Sequence, residues 1–71
     1  MSITVDEEIM HGEPVVAGTR VPVRVVLGSL AGGMSFEEVM EEYGITRQDI
    51  LGCLDYAAKV LAEEEIHLIR T

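Results

Sequence analysis

Two helix starts that follow each other closely constrain this chain more than any other feature. Ser35 is followed three residues later by Glu38, and Thr46 three residues later by Asp49. Each pair has the spacing of a capping box, where the hydroxyl and the carboxylate each accept an otherwise orphaned backbone N–H. Between them stands Gly44, and a residue without Cβ takes the left-handed conformation at a helix end at low cost. The spacing therefore predicts two helices around a three-residue break over residues 35–55, the pattern of a helix-turn-helix. Val39, Tyr43, Ile45, Ile50, Cys53 and Leu54 fall where two such helices would share a core. Thr46, Arg47, Gln48, Leu51, Gly52 and Asp55 are left outside it, on the surface that enters the major groove in DNA-binding proteins of this pattern.

Upstream, residues 1–21 read as a β ribbon with turns. Ile3 and Val5 alternate with polar residues, and Ile9-Met10 and Val15-Val16 flank the turn cluster H-G-E-P, which predicts a hairpin between those two apolar pairs. Pro22 fixes φ at the start of a helix and holds Val21 extended. Helix one is then expected over 22–32, with Val23, Val26, Leu27 and Leu30 on its buried stripe and Gly32-Gly33 ending it. Helix three is expected from Arg47 to about Glu64, carrying Ile50, Leu54, Ala57, Ala58 and Leu61 on one side. Residues 56–71 then comprise its extension and a tail in which Ile66 and Leu68 alternate as in a short strand. Gly28 and Gly52, each inside a helix, mark expected close approaches of another backbone.

The 71 residues make a single domain, and a chain this short buries only about 60% of its unfolded surface, so that a partner or a second copy is expected to complete it. The net charge of −8, from 13 acids and five Lys or Arg, bears on what that partner is. Residues 1–13 hold four acids and no Lys or Arg, residues 35–55 hold six acids against Arg47, and only 14–34 is positive, through Arg20 and Arg24. Binding held by phosphate neutralisation needs several cations on one face, so DNA is expected to be bound weakly by this chain alone. Arg47 and Gln48 are of the types that read base edges. Leu51 and Gly52 offer no hydrogen bonds, and Asp55 repels phosphate. No apolar run approaches a membrane span, no secretory leader is apparent, and the single cysteine fits a cytoplasmic location.

The runs G-E-P-V-V-A-G-T-R-V-P-V (Gly12 to Val23), L-A-G-G-M-S-F-E-E-V-M-E-E-Y-G-I-T (Leu30 to Thr46) and D-I-L-G-C-L-D-Y-A-A (Asp49 to Ala58) resemble the domain-of-unknown-function 433 family. The G-T-R-V-P-V segment carries most of that resemblance. Many members have a proline after the helix-two tyrosine, where this chain has Gly44. The resemblance implies a mainly α, homeodomain-like three-helix fold with an N-terminal β ribbon. It also implies the role of an antitoxin that accompanies a small PIN-like nuclease toxin.

The candidate functional residues form two sets. Arg20, Arg24, Thr46, Arg47 and Gln48 are the nucleic-acid candidates. Arg20 could equally tie the ribbon to Asp6 or Glu13, and exposed polar residues in a first helical turn are commonplace. Leu61, Glu63, Glu64, Glu65, Ile66, Leu68 and Ile69 are the partner-binding candidates, because apolar residues beyond a three-helix core either fold back on the ribbon or dock on another protein. His11, His67 and Cys53 lack zinc-ligand spacing, and Cys53 on a core stripe reads as a structural thiol. Glu37, Glu38, Glu41 and Glu42 read as a solvated helix face. With no phosphate loop and no acid–base pair, the chain implies no cofactor, no metal and no enzyme. The expectation is a homodimeric antitoxin of a type II toxin–antitoxin pair, with a DNA-binding regulator as the competing reading.

Overall fold

A computed structural model describes residues 5–6 and 13–70 of the chain, with side chains over 13–63. The elements run β1 (Val5–Asp6), β2 (Val15–Val16), α1 (Val23–Ala31), α2 (Phe36–Tyr43) and α3 (Arg47–Arg70). The protein is mainly helical.

The two strands pair antiparallel, Val5 opposite Val16 and Asp6 opposite Val15. Val15-Val16 is thus a strand as expected, but its described partner is Val5–Asp6, while Ile9 and Met10 lie outside the described residues. After β2 the chain closes on itself. The Val16 N–H donates to the Val21 carbonyl at 2.9 Å, and the Thr19 N–H donates back to the Val16 carbonyl at 3.0 Å. The Thr19 hydroxyl also donates to the Val16 carbonyl at 2.7 Å and accepts the Val21 N–H at 3.0 Å. The Val23 N–H then donates to the carbonyl of Pro14, the residue just before β2, at 3.0 Å, which ties the start of α1 back to the ribbon. Pro22, extended at φ −68° and ψ 143°, is its N-cap.

Both capping boxes form. The Ser35 N–H donates to Glu38 Oε1 at 2.8 Å, and the Glu38 N–H to Ser35 Oγ at 3.1 Å. At the next helix start the Thr46 N–H donates to Asp49 Oδ2 at 3.0 Å, and the Asp49 N–H to Thr46 Oγ1 at 3.1 Å. Gly44 between them is left-handed, at φ 67° and ψ 36°, and its N–H closes α2 on the Met40 carbonyl.

The three helices meet over Val16, Val23, Val26, Val39, Ile45, Ile50 and Cys53, all buried. Around this centre Leu27, Leu30, Met40, Tyr43 and Tyr56 are partly buried, and Ser29 Oγ and Tyr43 Oη share a hydrogen bond of 2.7 Å that ties α1 to α2. Two of the expected positions on α3 are exchanged: Leu54 is 39% exposed, whereas Gly52 is buried. The buried face of α3 is centred between Cys53 and Tyr56, and at about 100° per residue that centre is about 70° from Gly52 and about 130° from Leu54, so Gly52 stays within the face and Leu54 swings out. Gly28 is exposed, and a Cβ there would meet no atom within 4 Å, so the expected close approach at that glycine is absent.

The expected terminal strand is replaced by helix. With no Gly or Pro after Gly52, nothing in the sequence stops α3, which continues to Arg70 over 24 residues. At 1.5 Å per residue that is about 36 Å, longer than α1 and α2 can cover. Ala58 and Leu61, expected on the packed stripe, are exposed accordingly.

Candidate functional site

Three surfaces carry the candidate residues. The first is the start of α3, where Thr46, Arg47 and Gln48 are all exposed. Its geometry comes from the caps: Thr46 and Asp49 fix each other, so Asp49 is committed to the helix start. The Arg47 guanidinium lies over the Phe36 ring, 4.8 Å from its centroid. A cation on a ring face keeps its charge while the ring orients it, and here it joins the first turns of α2 and α3.

Arg24 stands elsewhere. It is exposed on α1, paired through Nε with Glu13, and it lines a groove together with Leu27, Tyr56, Val60 and Leu61. Tyr56 follows Arg47 by nine residues, about 13 Å along the helix. The structure therefore places Arg24 beside the middle of α3 and Arg47 with Gln48 at its beginning. Glu13, one of the acids offered as a partner for Arg20, is engaged by Arg24. Arg20 itself is exposed in the loop before α1, and Asp6 has no described side chain.

The groove is the second surface, an apolar trough of about 290 Å³ between α1 and α3 with the Glu13–Arg24 pair at its rim. Nothing in the periodicity of either helix alone marks it, because it is formed jointly by the start of α1, with Arg24 and Leu27, and by Tyr56, Val60 and Leu61 of α3. The third surface is the far part of α3. Leu61 is 61% exposed and Glu63 is exposed. Glu64, Glu65, Ile66, Leu68 and Ile69 continue the same helix, and their side chains lie outside the described residues. Lys59 reaches back one turn to Asp55 at 2.9 Å, a solvent-screened pair of the i,i+4 kind that contributes a few tenths of a kcal/mol.

Cys53 is buried in the core, and burial first, then the nearby Asp49 charge, raises its thiol to about 11. A buried thiol held neutral in this way is a poor nucleophile at physiological pH and behaves as a core residue. Among the described residues no three His, Cys, Asp or Glu side chains gather as a metal site, and no helix is long and apolar enough to cross a membrane. His11 and the His67 side chain lie outside the described residues.

The surfaces acquire a context from known proteins. A family model described as "Protein of unknown function (DUF433)" matches residues 3–57. A Mycobacterium tuberculosis (strain ATCC 25618 / H37Rv) protein named "Putative antitoxin VapB45" is 35% identical over 57 residues, which is 80% of this chain and 24% of that protein. The chain thus spans about a quarter of the length of the curated relative it matches. No solved structure matches.

Proposed function

Given that the chain belongs to the DUF433 family, we propose that it is the antitoxin of a type II toxin–antitoxin pair, a cytoplasmic binding protein that neutralises a PIN-like nuclease. The observation that carries this reading is the 35% identity to a protein named as an antitoxin. Two physical features support it. The net charge of −8 suits a chain that occupies a cationic, RNA-binding channel by complementarity, with no chemistry of its own. The far part of α3 also presents Leu61 and Glu63 to solvent beyond the helical body, followed in sequence by Glu64, Glu65, Ile66, Leu68 and Ile69.

The family match ends at Ala57, so the body is the shared part and the second half of α3 is where partner choice would reside. The test is co-purification with the product of the adjacent gene, followed by a nuclease assay. A stable complex that suppresses RNA cleavage and weakens as salt rises is expected, because the attraction is between opposite charges. Absence of any complex overturns the reading.

A second reading rests on the first surface. Thr46, Arg47 and Gln48 would make α2 and α3 a homeodomain-like helix-turn-helix that binds operator DNA together with the cationic partner. Operator binding by the complex that survives R47A/Q48A sinks this second reading and leaves the first intact.

A further inference from the structure

α3 has two apolar faces, and the fold uses one of them. Ile50, Cys53 and Tyr56 pack inward, while Leu51, Leu54, Ala58 and Leu61 stay exposed on the other side. The exposed set is spaced alternately by three and four residues, and positions 65 and 68 of the same helix continue that alternation with Glu65 and Leu68. A strict three–four alternation has a period of 3.5, which is the repeat of one helix lying along another rather than of a helix on a globular core.

From this repeat we infer that α3 pairs with α3 of a second copy of this chain, antiparallel, through the seam Leu51, Leu54, Ala58 and Leu61.

The occupant follows from register and charge. In the antiparallel arrangement position 58 lies against 61, 54 against 65 and 51 against 68, and the two-fold axis repeats every one of these contacts. Alanine meets leucine at the centre, a small residue against a large one. Along the flanks Asp55 comes beside Ala62 and position 64 beside Ala57, so that no acid opposes an acid. A parallel pair would set Glu65 directly against its own copy at a core position, where like charges are desolvated together. In the antiparallel register position 65 faces position 54 and lies about 16 Å along the axis from its own copy, so of the two orientations this one keeps the like charges apart. Leu61 belongs both to the seam and to the lining of the groove, so self-pairing covers that edge of the groove, while Tyr56 and Val60 lie on the opposite side of the helix from the rest of the seam. This inference stands whether or not the protein neutralises a toxin.

The test is sedimentation equilibrium of the full-length chain, with a monomer mass of 7.8 kDa. A dimer is expected, and because each copy carries the same sign of charge its dissociation constant should fall as NaCl is raised from 50 to 500 mM, opposite to the salt response of a complex with a basic partner. L54E/L61E should weaken self-association at least about a hundredfold, since four introduced charges meet in the seam. A58E replaces an exposed alanine with another good helix former, keeps the fold, and should have the same effect. V60E, on the groove side, should leave the dimer unchanged. For orientation, A58C chains mixed with L61C chains should form the mixed disulfide at pH 8, whereas A58C alone should not cross-link. A monomer at 200 μM, a dimer indifferent to A58E, a dimer lost in V60E, or A58C cross-linking to itself would each overturn the inference.

Discussion

Gly28 inside α1 and Gly44 just past the end of α2 give a two-sided test of how this small fold is held. Gly28 lies inside α1, exposed, with ordinary helical backbone and no atom within 4 Å of where a Cβ would stand. Replacing it with alanine adds no clash and removes unfolded-state entropy, which stabilises a helix interior by about 1 kcal/mol. Gly44 also has free space around a hypothetical Cβ, but its φ is +67°. There the same substitution costs about 1–2 kcal/mol through backbone strain alone. For a chain of this length 1 kcal/mol corresponds to roughly 4–8 °C in Tm. G28A should therefore melt several degrees above the parent and G44A several degrees below it, read by thermal and urea unfolding followed at 222 nm. The double variant should fall near the sum, because the sites share no partner. A destabilised G28A would refute the reasoning, since it would require a close neighbour on a face that is open here. An unchanged G44A would show that α2 ends by another device.

Other predictions bear on the caps, the thiol and the acids. Ser35→Ala and Thr46→Ala each remove half of a capping box and should each cost about 1 kcal/mol, measured as a shift in urea midpoint with unchanged slope. Cys53 has its folded pKa raised to about 11, above the ordinary thiol value. Its contribution is fully present below about pH 9 and is lost as pH rises from there to 11, because the unfolded chain releases the proton first. Stability should decline over that window by about 2–3 kcal/mol in the parent but not in C53A, and the folded thiol should resist a thiol reagent at pH 8. Neutralising Glu63, Glu64 and Glu65 to Gln should slow association with a basic toxin more than it speeds dissociation, since charge complementarity acts chiefly on the encounter rate. An unchanged association rate would remove the electrostatic half of the proposed inhibition.

What could be read from the sequence was whatever is decided locally. Ser35 with Glu38, Thr46 with Asp49, and Gly44 between them each settle their own few hydrogen bonds, and the boundaries of α2 and the start of α3 follow from those bonds. The G-T-R-V-P-V run, the most distinctive stretch by resemblance, proves to be a clasp whose Thr19 and Val21 satisfy Val16 and leave Arg20 alone at the surface. Its distinctiveness has a structural cause. Less legible was anything set by how one helix lies on another. Leu54 and Gly52 exchanged places because periodicity gives the width of an apolar stripe but not its centre, and the centre is fixed by where α1 and α2 cross. The tail alternation of Ile66 and Leu68 suggested a strand because two short-range patterns overlap there, while an uninterrupted helix already under way needs no further nucleation.

The most demanding consequence concerns the division of labour along α3. Every buried core residue among those described lies at or before Cys53, and Tyr56 is the last side chain packed against that core. The helix nevertheless runs a further 14 residues. Ala57 is half-buried and residues 58–63 are exposed, so among the described side chains folding gives little reason for that length, and association gives a direct one. If that is so, stability and binding should separate on truncation. A chain ending at Ala62 keeps both capping boxes, the clasp and the whole core, and should unfold within about 1 kcal/mol of the parent, apart from the loss of fraying helical turns. It should also lose toxin binding, because Glu63 to Ile69 are gone, and it should dimerise more weakly, because Leu51 and Leu54 lose the positions 68 and 65 that they pair with and only the layer of Ala58 with Leu61 remains. Urea unfolding and sedimentation of the shortened chain read the two effects independently. A truncated protein that fails to fold would mean that the far half of α3 belongs to the core after all, and one that still inhibits the nuclease would move the contact surface back onto the groove lined by Leu27, Tyr56 and Val60.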